Sequence, residues 1–181
     1  MSYTRLKPTA WSLSINVIGA LVVNKTISVN DEFNALAIAY ARAANMANPM
    51  EGAIQKLNLA KSIARDAEAI GAEMVVARYL GITDFEPTLN TYKNSADVGY
   101  RVEVKHTSWK DGHLIVKPSD RDIDLAVLVV GDSPNYTIIG WLPVEVAKSP
   151  RFKSDQSNSW WVSQINLRPM ESMLKGVEWA K

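Results

Sequence analysis

The sequence predicts an α/β domain in which a central mixed β-sheet is flanked by helices. Apolar residues recur at helical spacing in the first half of the chain, whereas the second half alternates with a period of two. An unbroken apolar run, Leu125–Val130, is typical of a strand buried on both faces. With 181 residues, 47% of them hydrophobic, the chain is long enough for one compact domain.

Residues 13–29 are rich in β-branched side chains and predict one or two strands. Asn30 or Asp31 is then expected to cap a helix, because apolar residues follow it at helical spacing. Pro49 is expected to end that helix or to begin the next one.

A second helix is predicted from Glu51 to Leu80, where apolar positions keep a 3.6-residue rhythm. Gly81 lies where a helix-terminating glycine belongs. Gly71 interrupts the rhythm and indicates either a kink or a close approach to a neighbouring element.

Beyond Gly81 the pattern predicts strands over residues 85–92 and 97–106. Residues 114–117 are expected to pair back on the second strand across Asp111-Gly112, a hairpin turn signal.

After a polar link over 118–124, with room for one helical turn, Leu125–Val130 and Tyr136–Leu142 are predicted strands joined by a turn. From Pro143 onward we expect a short helix, a polar loop and a last turn near 170–174.

The composition of the chain excludes several classes of functional site. The chain has 20 Lys and Arg against 19 Asp and Glu, so a protein that holds nucleic acid by bulk charge is disfavoured. With no Cys and only two His, a thiolate zinc site, a cysteine nucleophile and a His-rich metal site are excluded. No apolar run could span a bilayer, and the N-terminus does not look like a signal peptide. We therefore expect a soluble, cytoplasmic protein with no membrane partner.

One stretch carries residues suited to chemistry. On a strand, Arg101, Glu103 and Lys105 share one face, and Asp97 has the same parity. Gly99 permits a bend that would bring the two carboxylates together. Two carboxylates beside a lysine suit Mg²⁺ and a phosphodiester, although a Glu-x-Lys pair alone is more often a solvated strand face.

The stretch resembles the PD-(D/E)XK nuclease superfamily, whose signature is a helix carrying Glu, a strand Asp and then Glu-x-Lys. The matching residues are Glu73, Asp97, Glu103 and Lys105. The order of motifs in this stretch, including a later Gly140-Trp141, is also similar to that of small nuclease-like proteins of bacteriophages. The resemblance covers roughly residues 61–145; Ala96 replaces the name-giving proline, and the interval from Asp97 to Glu103 is short.

This resemblance implies a restriction-endonuclease-like core over residues 51–181, with residues 1–50 as an N-terminal extension packed on it. It implies a metal-dependent DNA nuclease, phage-encoded and acting in the host cytoplasm, with Mg²⁺ or Mn²⁺ as cofactor. Asp97, Glu103 and the backbone carbonyl of Val104 would hold the ion. Lys105 would position the attacking water, and Glu73 would support a metal-bound water. Endonuclease and exonuclease activities both stay open.

The partners expected are DNA and a second copy of the chain. Candidate DNA contacts are Arg101, Trp109, Lys110 and Lys117. Trp109 could stack on an unpaired base or simply pack against the predicted hairpin.

Three further features are expected to be structural. His106 should be a satisfied core or edge residue, and Asp120, Asp122 and Asp124 should cap turns rather than bind metal. Of Trp160-Trp161, one should be core and the other could form a partner surface.

Two other functions stay open. The first is a nuclease-like module that binds DNA or protein without cutting, which the near-zero net charge favours. The second is a structural or assembly protein that uses the helical half and the tryptophan pair.

Overall fold

The computed structural model describes residues 11–15, 21–45, 58–89 and 95–174. Its central sheet has five strands in the order β1-β2-β6-β5-β3. Only β3 and β5 run parallel; the other neighbouring strands are antiparallel, so the sheet is mixed. The strands are β1 (Ser12–Ile15), β2 (Leu21–Thr26), β3 (Val102–Thr107), β4 (Leu114–Val116), β5 (Leu125–Asp132), β6 (Asn135–Pro143) and β7 (Trp160–Val162).

Helices lie against this sheet, which confirms the predicted fold class. They are α1 (Val29–Asn45), α2 (Leu59–Tyr79), α3 (Val144–Ala147) and α4 (Met170–Leu174). One face of the sheet packs on α2, with Val75 and Val127 fully buried between them, and α1 packs on α2 from outside. The opposite face is covered by α3 and by the two-stranded β4–β7 sheet. No described helix is long and apolar enough to cross a membrane.

Ser28, rather than Asn30 or Asp31, caps the first helix. The Asp31 N–H donates to Ser28 Oγ over 3.2 Å, and the Ser28 N–H donates back to the Asp31 carboxylate over 2.9 Å. This reciprocal pair is a capping box, which satisfies two backbone donors and moves the helix start to Val29.

The second helix begins at Leu59, where the Asn58 side chain accepts a hydrogen bond from the Lys61 N–H. The predicted start at Glu51 and the boundary at Pro49 lie outside the described residues. Gly71 is a point of close approach, because a Cβ there would collide with the Tyr136 hydroxyl. Gly81 follows the helix with a φ of 78°, as a terminating glycine should.

Two of the predicted strands differ from the structure. Residues 85–89 form no strand, and residues 90–92 lie outside the described chain. The strand predicted from Asp97 begins only at Val102, because Val98 and Val102 pair with each other across a tight turn.

The Asp111-Gly112 turn does not return the chain to β3. Instead β4 pairs with β7 on the other face of the sheet, and β3 pairs along one side with β5. The parallel β3–β5 pairing leaves β3 at the end of the sheet, and no strand of the described residues pairs along its other edge, which we call the free edge.

Residues before position 50 contribute directly to this architecture. The strand β2 pairs with β6 inside the sheet, and β1 extends the sheet by one strand at the end opposite β3. Val23 and Ile27 belong to the same buried cluster as Val75 and Val127. The strand β2, which directly precedes α1, is therefore part of the central sheet.

Candidate functional site

Asp97 is positioned by the tight turn that precedes β3. Val98 and Val102 exchange backbone hydrogen bonds of 2.9 and 3.2 Å, which reverse the chain and return Asp97 alongside the free edge of β3. There the carboxylate Oδ2 accepts a hydrogen bond of 2.8 Å from the Val104 N–H. The edge amide of Val104 thus fixes the acid, although Asp97 is not itself part of the strand.

The backbone of β3 alternates between its two sides. The Arg101 carbonyl accepts from the Leu125 N–H at 2.7 Å, so odd-numbered residues direct their backbone groups toward β5. The backbone groups of even-numbered residues point to the free edge, where those of Val102 bond to Val98. The carbonyl of Val104 therefore lies on the same edge as the Asp97 carboxylate, as its predicted role requires.

Glu103 and Lys105 form an ion pair on the strand, as the two-residue spacing predicts. The Lys105 Nζ lies 2.7 Å from Glu103 Oε1 and 3.0 Å from a carboxylate oxygen of Asp120. Asp120 also accepts a 2.8 Å hydrogen bond from the Lys117 N–H. Burial disfavours the charged ammonium, but the two carboxylates more than offset this and raise the pKa of Lys105.

Behind Asp97, Glu73 is buried on α2 and lies 3.5 Å from the guanidinium of Arg42 on α1. Arg42 is only 7% exposed and serves three acceptors: Glu73, the Asp66 carboxylate at 3.3 Å and the Thr88 carbonyl at 2.8 Å. The single Arg42 guanidinium is therefore shared by two carboxylates and one carbonyl, and its contacts with both carboxylates are long.

Two acids of this site, Glu73 and Asp97, hold protons more tightly than ordinary carboxyls. Burial, reinforced by the charge of Asp97, raises the pKa of Glu73 to about 8 despite Arg42. Burial, reinforced by the charge of Glu103, raises the pKa of Asp97 to about 7 despite the Val104 N–H and Lys105. At neutral pH Glu73 is therefore largely protonated, and Asp97 is divided between its protonated and charged forms.

The donor set suits a hard divalent cation. Asp97 and Glu103 each have one oxygen engaged by Val104 or Lys105, and the Val104 carbonyl lies on the same edge. Mg²⁺ takes oxygen ligands and keeps several waters, so two carboxylates and a carbonyl suffice. Within the described ranges no three His, Asp or Glu side chains gather around one point, so an ion here would be held with water.

The four candidate DNA contacts do not converge. Arg101 donates to the Ile123 carbonyl at 2.6 Å beside the site, and Trp109 is 77% exposed after the end of β3. Lys117 is exposed on the loop that also carries Asp120. Lys110 lines a groove with Val22 on β2 and Ile139 on β6.

Two secondary expectations are confirmed. His106 Nε2 lies 2.7 Å from the Gly131 carbonyl and the ring packs edge-on against Tyr136, so the histidine is satisfied. Trp160 packs against the core below Lys153, whereas Trp161 is exposed.

Sequence reasoning missed Arg42 and Asp66 and assigned Asp120 only to capping. Asp66 and Glu73 are seven residues apart on α2 and hence on one helical face, which is a readable signal. Asp120 caps a turn as expected and additionally pairs with Lys105. Arg42 gives no signal, because its partners come from a different helix and a loop.

Comparison of the chain with protein-family models, with characterised proteins and with solved structures gave no match. The interpretation of the site therefore depends on its own geometry.

Proposed function

We propose that the protein is a divalent-metal-dependent DNA nuclease of the PD-(D/E)XK type, phage-encoded and acting in the host cytoplasm. The observation that carries the proposal is the grouping of acids at β3: Asp97 is held by the Val104 N–H, and Glu103, paired with Lys105, is near enough for its charge to raise the pKa of Asp97. Buried acids that repel one another are costly unless a cation joins them.

In this proposal Asp97, Glu103 and the Val104 carbonyl hold Mg²⁺ or Mn²⁺, which would polarise a phosphodiester and lower the pKa of a water. Lys105 orients the attacking water and offsets charge that accumulates on the phosphate. Asp120 holds the ammonium of Lys105 toward Glu103. The raised pKa of Lys105 keeps this ammonium protonated. Glu73, largely protonated at neutral pH, can donate a hydrogen bond to a water at the site.

DNA is the proposed substrate. Since the chain has a net charge of only +1, contacts with the phosphate backbone must be local. Arg101 lies two residues before Glu103, and Lys117 lies three residues before Asp120, so these two are the proposed contacts. A homodimer would place two such sites on one duplex.

A nicking assay tests the activity. Supercoiled plasmid is incubated with the protein in Mg²⁺, Mn²⁺, Ca²⁺ or EDTA, and relaxed and linear products are quantified. We expect cleavage with Mg²⁺ or Mn²⁺ only. Asp97→Asn, Glu103→Gln and Lys105→Ala should each reduce the rate by about two orders of magnitude or more. Matched controls are Asp155→Asn and Lys61→Ala, both at exposed positions and with no part in the proposed site, and both should cleave normally.

A non-cutting binding module is the second candidate, and one observation favours it. The Lys105 ammonium is already paired with Glu103 and Asp120, so it is less available to a water or phosphate. Fluorescence anisotropy with labelled DNA in Ca²⁺ separates binding from cutting. Binding without cleavage in any metal would support the module, and absence of both would overturn the two proposals together.

A further inference from the structure

The outward face of α1 is apolar over its length. Val29, Phe33, Leu36 and Tyr40 are exposed by 59, 67, 47 and 66%. We call these four residues the α1 stripe. Scattered exposed apolar residues are normal on a protein surface, but four that form one continuous line are not.

The spacing of the α1 stripe indicates what kind of element it fits. Its members follow one another at intervals of four, three and four residues. This is the a/d repeat of a helix that packs lengthwise against a second helix, with crossing angles near 20°.

The charge pattern of α1 restricts the partner. None of the exposed residues of α1 is charged; they are Val29, Asn30, Phe33, Asn34, Leu36, Ala37, Tyr40, Ala44 and Asn45. Its three charged side chains are all engaged within the molecule: Asp31 with Arg78, Glu32 with Ser133, and Arg42 with Glu73. An uncharged apolar face matches an identical face without electrostatic penalty, and it offers nothing to an acidic or basic partner.

The exposed apolar area of the α1 stripe is about half that of a standard interface, which corresponds to a weak, reversible dimer. If an aromatic side chain presents 150–250 Å², the stripe offers roughly 400 Å² per copy. A standard interface buries about 800 Å² per partner. A groove of about 410 Å³ borders the stripe at Asn34 and Ala37, and Leu89 on its far side is half exposed. The groove can add to the contact by receiving an aromatic ring.

We infer that the α1 stripe is a homodimer interface, in which α1 of one copy packs lengthwise against α1 of a second copy. The two helices are related by a two-fold axis, so each stripe is buried by the same residues of the other copy. The inference does not depend on nuclease activity. We expect a dissociation constant in the range of roughly 1–100 μM.

Sedimentation velocity of the full chain from about 1 to 500 μM tests the interface. The native protein should shift from monomer to dimer across this range. Phe33→Glu combined with Tyr40→Glu should raise the dissociation constant at least about tenfold. Ile165→Glu is the matched control, because Ile165 is 71% exposed and borders the groove that Lys110 lines.

Both sets of variants should keep the native far-UV circular dichroism and melting temperature, because the replaced side chains already face water. A native chain that stays monomeric at every concentration would overturn the inference. So would a dimer that the α1 variant leaves intact while the Ile165 variant dissociates it.

The absence of cysteine permits a second, geometric readout. If the two helices are parallel, Leu36→Cys alone should form a disulfide-linked dimer on oxidation. If they are antiparallel, a mixture of Phe33→Cys and Leu36→Cys chains should cross-link preferentially. Cross-linking no faster than that of an Ile123→Cys control, at a residue exposed elsewhere, would contradict both arrangements.

Discussion

Asp31 lies on α1 and Asp97 lies in the turn before β3, and each is near an arginine, yet their pKa values change in opposite directions. Two hydrogen bonds from Arg78, at 2.5 and 2.8 Å, and further bonds from Ser28 hold the pKa of Asp31 well below its usual range. Burial and the charge of Glu103 raise the pKa of Asp97 to about 7, and Arg42 only weakens that effect.

The difference comes from how many acids each arginine serves. Arg78 makes a bidentate pair with one carboxylate, which is the strong geometry for this interaction. Arg42 is divided between Asp66 and Glu73 at 3.3 and 3.5 Å, and Asp97 lies close enough to raise the pKa of Glu73. The first cluster therefore stabilises the fold with a fully charged pair, whereas the second contains buried acids that hold their protons to higher pH.

The largest effect is expected from Arg42→Met, which keeps the side-chain length and removes the charge. Glu73 and Asp66 would then lose their shared cation. At pH 8 we expect a loss of about 3–5 kcal/mol of unfolding free energy, or roughly 10 °C in melting temperature. At pH 5 the loss should be smaller, because Glu73 is protonated there. Equal losses at both pH values, measured by differential scanning fluorimetry, would assign the effect to packing instead.

Asp31→Asn should cost about 2 kcal/mol at pH 7, because the bidentate pair with Arg78 is lost. The pKa of Asp31 is lowered by folding, so its contribution is present above its unfolded pKa and is lost as the pH falls through the folded value. The native and variant stabilities should therefore converge in strong acid. Asp122→Asn, at an exposed ion pair, should cost under about 0.5 kcal/mol.

If the proposed site holds a divalent cation, Mn²⁺ should stabilise the native chain, because the ion would bind the folded acids and not the unfolded chain. At roughly ten times its dissociation constant the gain is about 1.4 kcal/mol, or 3–5 °C in melting temperature. The shift should vanish in Asp97→Asn and Glu103→Gln and persist in Asp31→Asn. The same shift in all four proteins would mean that the ion binds elsewhere.

The smallest expected effect is the pH slope of stability from the raised acids. Between an unfolded pKa near 3.8 and a folded pKa of about 7, folded Asp97 holds a proton that the unfolded chain releases. Raising the pH through this window therefore costs stability, and for Glu73 the window extends to about 8. Over one pH unit, from pH 6 to 7, a single such group changes the stability by at most about 1.4 kcal/mol, so Asp97→Asn and Glu73→Gln should each flatten the decline over that interval by up to about 3 °C. A steeper decline in either variant would contradict the raised pKa values.

Local sequence patterns predicted much of this molecule. The period of α1 and α2, the apolar β5 and the alternation of Val102 and Val104 with Glu103 and Lys105 require only neighbouring residues. The pairing of β4 was not predictable, because its partner β7 lies more than forty residues further along the chain. A turn signal such as Asp111-Gly112 shows that the chain bends, but it does not show where the next strand goes.

The same limit applied to the candidate site. Glu103 and Lys105 were placed correctly because a strand fixes their relative direction. Asp97 was expected on that strand and instead reaches its edge from a preceding turn. Arg42 could not have been found, because its contacts join α1 to α2 and to residue 88.

Val104 contributes to the candidate site only through its main chain. Its N–H holds Asp97, and its carbonyl lies on the same free edge of β3. Any amino acid except proline supplies these two groups, so alanine scanning at position 104 would report only the loss of a packed side chain. An amide-to-ester exchange, introduced by chemical synthesis or ligation at this one bond, would delete the N–H and leave the valine in place. Position 104 can thus be essential to the site and at the same time tolerant of nearly every genetic substitution.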